Sequence, residues 1–362
     1  MLCLPKSEPK MSKFWSQVVR DLDPYVPGEQ PRDKRYIKLN TNESPYPPSP
    51  KVIEAVRGAV GGDLRLYPDP TARDLCHTLA RYYGLEAANV FVGNGSDEVL
   101  ALAFYAFFKQ GAPIRFPDVT YGFYEAWCGF FEIAFEQIPL DEGLQIRVED
   151  YVHPCGGVIV PNPNAQTGRL LGLEAIEALL QSQPLRVVIV DEAYIDFGGQ
   201  TAAGLVGRYP NLLVVQTYSK SRSLAGMRLG FALGQPELIE GLERAKNAFN
   251  SYPIDRLALA AGVAAIEDED YFRVCRDKVI QTRQWTVDEV KKLGFEVVPS
   301  SANFILIRHP GFAGRDLLEG LKARGVLVRR FGNERIVDHL RVTIGSDDEM
   351  AAFVQMLGEV VG

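Results

Sequence analysis

Four stretches of the chain place reactive side chains directly after a short apolar run. Val90–Val92 leads into Gly93-Asn94-Gly95-Ser96-Asp97-Glu98, and Val158–Val160 into Pro161-Asn162-Pro163-Asn164-Ala165-Gln166-Thr167-Gly168. Val187–Val190 leads into Asp191-Glu192-Ala193-Tyr194, and Leu212–Thr217 into Tyr218-Ser219-Lys220, with Arg228 eight residues on. Ligands of open α/β sheets sit at the C-terminal ends of strands, so these positions are the ones to read for chemistry. A helix starting near Ser96 and Asp97 offers free N–H groups, and Arg228 a planar cation; together they suit a phosphate. Asp191 suits a protonated ring nitrogen, and Lys220 is a primary amine able to condense with an aldehyde. Pyridoxal phosphate carries all three groups, and a lysine and an aspartate are its recognisable protein partners.

These residues need a parallel sheet to hold them. Ile114–Phe116 joins the four runs above as a further short β-rich segment, and helix-sized stretches such as Leu173–Leu180 lie between them. Strands apolar on both faces and separated by helices predict a parallel sheet with helices on each side. Ser96 and Asp97 are good N-caps for the helix that begins there. After Asn250 the pattern changes: helices are expected over Arg256–Ile266 and Tyr271–Leu293. Strands are expected over Phe295–Val298, Asn303–Ile307, Val326–Arg329 and Leu340–Ile344, and a closing helix over Asp347–Val360. The expected division is an N-terminal arm at 1–45 that belongs with the small domain, a large domain at 46–250 and a small α+β domain at 251–362. Seven prolines between Pro24 and Pro50 make that segment an extended arm.

Length and composition set the outer bounds. The chain has 362 residues, 46% hydrophobic and 23% charged, a profile that excludes disorder and predicts about two domains. A net charge of −7 offers no cationic footprint for nucleic acid or an anionic membrane. Apolar runs such as Val99–Phe108 fall short of the roughly 20 residues of a membrane span. Five scattered cysteines with no CxxC pair fit a reduced cytoplasm, and four histidines at no ligand spacing give no metal site. Met1–Lys10 lacks the apolar stretch of a secretory signal and is expected to be loosely held, with Met11 an alternative start. No G-x-G-x-x-G follows a strand and no GxxxxGK[ST] occurs, which sets aside dinucleotide and P-loop sites.

Over nearly its whole length the sequence resembles the fold-type I pyridoxal-phosphate aminotransferases, and within them the histidinol-phosphate aminotransferase family. The resemblance runs through Leu22-Asp23-Pro24-Tyr25-Val26-Pro27-Gly28, Leu39–Pro48, Tyr67-Pro68-Asp69, Gly93–Glu98 and Thr120–Tyr124. It continues through Val190–Tyr194, Ser219-Lys220, Leu224–Arg228 and Leu340–Gly345. The fold it implies is a mostly parallel central sheet with helices on both faces plus a smaller α+β domain. The activity it implies is amino transfer from histidinol phosphate (or to imidazole acetol phosphate) with glutamate and 2-oxoglutarate, a step of histidine biosynthesis. Aromatic amino-acid donors, and decarboxylation of the threonine-phosphate type, carry similar motifs and stay open.

The resemblance also implies roles. Lys220 holds the cofactor aldehyde, Asp191 pairs with the pyridinium nitrogen, and Tyr194 contacts the phenolate oxygen. Gly95, Ser96, Asp97, Thr217, Ser219 and Arg228 form the phosphate cup, and Tyr121 stacks on the ring. The loop usually reads Asn-Asn-Pro-Thr-Gly or Asn-Ala-Pro-Thr-Gly, whereas this chain has Asn164-Ala165-Gln166-Thr167-Gly168. The asparagine at the phenolate is expected to be Asn164, with Asn162 as the alternative. Tyr25, Asn42, Arg329 and Arg341 are expected to bind substrate, with Asn303 near Tyr25. Neighbouring residues of a strand face opposite ways, so only one of Arg329 and Arg330 can reach the site. A homodimer is implied, with Tyr67 reaching the partner subunit's cofactor.

Overall fold

The computed structural model describes residues 12–362 apart from Pro24 and Arg32. The expectations for Met1–Lys10, Met11 and Pro24 lie outside the described residues. After the short β1 (Ile37–Lys38) come the strands of the main sheet: β2 (Val90–Asn94), β3 (Ile114–Pro117), β4 (Phe135–Ile138), β5 (Gly157–Pro161), β6 (Val188–Asp191), β7 (Leu212–Thr217) and β8 (Leu229–Gly234). Their order is β2-β8-β7-β6-β5-β3-β4. All neighbours pair in parallel except β8, which runs antiparallel to both β2 and β7.

Strand periodicity explains why the central runs are apolar throughout. Val158, Val160, Val188, Val190, Leu212 and Val214 enter the core on one face of the sheet. Ile159, Ile189, Leu213 and Val215 alternate with them into the core on the other. With helices covering both faces, polar side chains are confined to the C-terminal ends of these strands, at Asp191, Gln216 and Thr217. Two strands escaped the sequence reading for opposite reasons. β4 is an edge strand with mostly exposed side chains, so it shows no apolar run. β8 carries two glycines, and one is required: a Cβ on Gly230 would meet the Ser96 backbone nitrogen at 2.2 Å. That close approach packs β8 beneath the start of the helix Gly95–Ala103.

The second unit is a three-stranded antiparallel sheet. β9 (Glu296–Val298), β10 (Phe304–Arg308) and, after β11 (Val326–Leu327), β12 (Leu340–Thr343) are arranged in the order β12-β10-β9. Its core is built by Phe304, Ile305, Ile307, Val342, Phe353 and Leu357. The arm joins it through β1, which pairs in parallel with β11. The expected strand Val326–Arg329 is shorter than anticipated; only Arg329 continues it, in an isolated bridge to Arg341.

Helix Arg256–Glu267 lies beyond the expected boundary at 250, yet it packs on helices Pro50–Ala59 and Arg73–Tyr83. Ala258, Ala261 and Ala265 supply the small face that permits this close packing against the large unit. The small unit's own core begins farther along, where Val279 and Val290 of helix Glu269–Lys292 enter it.

Candidate active site

A cleft of about 340 Å³ opens where the C-terminal ends of β6 and β7 face β12 and the arm. Asp191, the last residue of β6, is buried there. Its Oδ2 accepts a hydrogen bond from Tyr124 Oη at 2.6 Å, and its Oδ1 one from the Ala193 backbone N–H at 3.3 Å. Burial, opposed by those two hydrogen bonds and aided by the charge of Asp97, leaves the carboxyl pushed up to about 6. A carboxylate so placed gains most from a cationic partner that carries a proton.

Lys220 follows β7, with Nζ donating to the Thr41 carbonyl at 3.2 Å and lying 5.9 Å from the centre of the Tyr194 ring. Tyr194 Oη accepts from Asn42 Nδ2 at 3.0 Å, which leaves its own proton free for the cleft. Asn42, expected to touch substrate, spends its side chain otherwise: Nδ2 goes to Tyr194, and Oδ1 accepts from Thr343 at 2.9 Å. Its backbone is left-handed at φ 56, a conformation costly for a residue with a Cβ and common at functional sites. Asn303 supports it from behind, donating to the Asn42 carbonyl at 3.0 Å.

The expected anion cup assembles around the first turn of helix Gly95–Ala103. This helix starts earlier than anticipated: Asn94 is its N-cap, so Ser96 and Asp97 lie inside the first turn. Gly95 has φ +77, and a Cβ there would meet Arg228 Nη2 at 2.6 Å. Thr217 and Ser219 are linked by hydroxyl hydrogen bonding at 3.0 Å, with Arg228 Nη1 at 3.5 Å from Ser219 Oγ. The Asp97 side chain departs from its expected role. A carboxylate repels a phosphate, and here it accepts from Arg228 Nη2 at 3.0 Å and from Tyr121 Oη at 2.9 Å, fixing both.

At the opposite wall stand two guanidiniums. Arg341 on β12 donates to the Ala165 carbonyl at 2.8 Å and lies 5.1 Å from the ring centres of both Phe304 and Phe331. Burial lowers its pKa from the usual guanidinium value, and its Nε is shielded without a partner. Arg329 donates to the Pro27 and Val26 carbonyls. Neither pairs with a carboxylate among the described residues. Arg330 turns away to the Val337 carbonyl. Tyr25 lines the cleft, stacked on Phe123 with ring centres 4.2 Å apart.

Both loop asparagines are absent from the cleft wall. Asn164 donates to the Val119 carbonyl and accepts from the Gln166 and Thr167 backbone, and Asn162 pairs twice with the Leu171 backbone. Their side chains hold the loop's shape, and Ala165 and Gln166 line the cleft instead. Tyr67 also lies outside it, 78% exposed and stacked on Tyr252. Tyr124 and Gln166 escaped the sequence reading. Tyr124 stands in an apolar helix where a core role is the default, and Gln166 could have been flagged because it stands where related loops carry proline. The remaining donor set fits pyridoxal phosphate: a cup with a helix start and a cation, an acid for a ring nitrogen, and an amine for an aldehyde.

A family model described as Aminotransferase class I and II matches residues 34–357. Histidinol-phosphate aminotransferase 1 of Methylococcus capsulatus is 58% identical over 351 residues, covering 97% of this chain and 98% of that protein. Histidinol-phosphate aminotransferase of Pseudomonas syringae is 55% identical over 350 residues, covering 97% and 100%. The crystal structure of histidinol-phosphate aminotransferase from Sinorhizobium meliloti in complex with pyridoxal-5'-phosphate superposes with a TM-score of 0.88 at 25% identity, over 97% of this chain and 98% of that one.

Proposed function

The chain belongs to the class I and II aminotransferases, and from that premise we propose that it moves the amino group between histidinol phosphate and 2-oxoglutarate with pyridoxal phosphate as cofactor. The observation that carries this reading is the pair Arg329 and Arg341, two cations lining one cleft with their hydrogen bonds spent only on backbone carbonyls. Both reactants bring anionic ends: a phosphate on one, two carboxylates on the other. The names of the 55–58% identical relatives point to the same donor.

When bound, the cofactor supplies an aldehyde for the substrate amine and a ring that withdraws electrons from the carbon bearing it. The chain's residues do the rest. Lys220 Nζ would hold the cofactor by its aldehyde and, once released, would act as the general base and acid of the 1,3-proton shift that starts at the amine-bearing carbon. Asp191 keeps the ring nitrogen protonated, and Tyr124 Oη keeps Asp191 in place. Tyr194 Oη, oriented by Asn42, donates to the phenolate oxygen. The first-turn N–H groups at Ser96 and Asp97, with Thr217, Ser219 and Arg228, bind the phosphate. Tyr121, tethered by Asp97, supplies an aromatic face, and Arg341 and Arg329 bind the anionic ends.

The test is a panel of donors assayed with 2-oxoglutarate: histidinol phosphate, phenylalanine, tyrosine and threonine phosphate. Histidinol phosphate is expected to lead phenylalanine and tyrosine in kcat/KM by at least about tenfold, since one charge-assisted hydrogen bond to its phosphate is worth ~1.5–3 kcal/mol. An equal or better aromatic donor, or release of carbon dioxide from threonine phosphate, overturns the reading.

The active unit we propose is a homodimer in the cytoplasm. Tyr67 lies on the surface rather than in its own chain's cleft, available to a partner. An apolar groove beside the cleft exposes Tyr105, Phe130 and Phe249, a patch of the kind that a second subunit covers. Symmetric dimers are the commonest oligomers. The described cysteines Cys76, Cys128, Cys155 and Cys275 are free and buried, and no described helix is long and apolar enough to cross a membrane. Sedimentation at micromolar concentration is expected to give a dimer; a fully active monomer removes the shared site.

A further inference from the structure

We propose that Gln166 reads the imidazole ring of the donor, its Oε1 accepting the ring N–H; this rests on the histidinol-phosphate reading above. The side chain is anchored so that its acceptor is the free end. Gln166 N donates to Asn164 Oδ1 at 2.9 Å, and Nε2 donates to the Thr120 carbonyl. That second bond fixes which end of the amide is oxygen, since a carbonyl accepts only from the NH2 group. Oε1 is then a buried acceptor, on a residue that lines the cleft, with no donor among the described residues. A buried acceptor without a donor is costly, so a site that keeps one gains from a ligand that supplies an N–H.

Chemistry narrows the donor to one group. The cofactor's phosphate and phenolate oxygens are acceptors, and its ring-nitrogen proton belongs to Asp191. The 2-oxoglutarate molecule offers acceptors only, and the substrate amine is the reacting group. In histidinol phosphate the remaining donor is the imidazole N–H. The position is consistent with this: Gln166 adjoins Ala165, whose carbonyl holds Arg341, and reaches the turn that carries Tyr121. A phenyl ring of similar size has no N–H and leaves Oε1 unpaired. Gln166 therefore acts in specificity, separating imidazole from aromatic hydrocarbon donors.

The experiment compares histidinol phosphate with 2-amino-3-phenylpropyl phosphate, which keeps amine and phosphate but lacks the ring N–H. Both are assayed on the wild-type holoenzyme, on Gln166→Met and on Gln166→Leu, with melting temperatures recorded. The wild type is expected to prefer the imidazole donor in kcat/KM by at least about tenfold, because a site built for a substrate N–H rejects analogues without it. In both variants that preference is expected to shrink at least about tenfold. A wild-type preference below tenfold, or one that survives in a folded variant within about twofold, overturns the role of Gln166. A wild type that does not turn over histidinol phosphate at all overturns the functional reading and this inference with it. The first measurement needs no variant, so a misfolded substitution leaves the proposal open to refutation.

Discussion

Replacing Lys220 with alanine is expected to lower turnover by at least about 10⁴-fold while the fold survives. The side chain makes one protein hydrogen bond, to the Thr41 carbonyl at 3.2 Å, and it is only partly buried, so truncation leaves no buried charge unpaired. What disappears is the amine that both holds the cofactor and moves the proton. Positioned proton transfer alone contributes about 10²–10⁴-fold, and loss of the covalent role adds to that. Single-turnover and steady-state rates, read with the circular dichroism spectrum, check the result. A variant that transaminates at the wild-type rate refutes the assignment of Lys220.

Arg341→Lys is expected to raise KM for 2-oxoglutarate by roughly tenfold to a hundredfold. The guanidinium carbon lies 5.1 Å from the ring centres of Phe304 and Phe331. The guanidinium's hydrogen bonds go only to the Ala165 carbonyl at 2.8 Å and, weakly, the Asn40 carbonyl at 3.5 Å, so a carboxylate entering the cleft is its first anionic partner among the described residues. Its Nε has no hydrogen-bond partner among the described residues. Lysine keeps the charge but cannot form two parallel hydrogen bonds or spread over an aromatic face. Each lost charge-assisted bond is worth ~1.5–3 kcal/mol, and 1.4 kcal/mol is tenfold. An unchanged KM shows that the carboxylate binds elsewhere.

The elements that were legible are those with a strong period. The central strands β5, β6 and β7 read as strands because their leading positions form unbroken apolar runs, and the structure shows the two-sided burial that demands it. β4 and β8 were not legible, since an exposed edge and a glycine-rich strand both lack that signature. The packing partner of the helix just past residue 250 was not legible for a related reason. Helix Arg256–Glu267 has an alanine-rich face, and composition says nothing about which neighbour a small face packs on.

At the site, residue type and place along the chain singled out Asp191 and Lys220, at and after strand ends, and Arg228, just before β8, and the structure lines one cleft with all three. Which side chains remain available to a ligand was decided only by tertiary structure. Asn42, Asn162 and Asn164 have the chemistry of ligand-binding residues, but their hydrogen bonds go to Tyr194, Thr343 and loop backbone. The Asp97 carboxylate accepts from Arg228 and Tyr121, so only its backbone N–H is left for an anion cup. The partner of Tyr124 becomes visible only once β6 lies beside helix Phe123–Phe131, and that of Gln166, whose place in the loop was already unusual, only once the loop after β5 folds against Thr120. A sequence states what a side chain can bond to; the competition among neighbours, set by packing, states what it does bond to and so which polar atoms are left for chemistry.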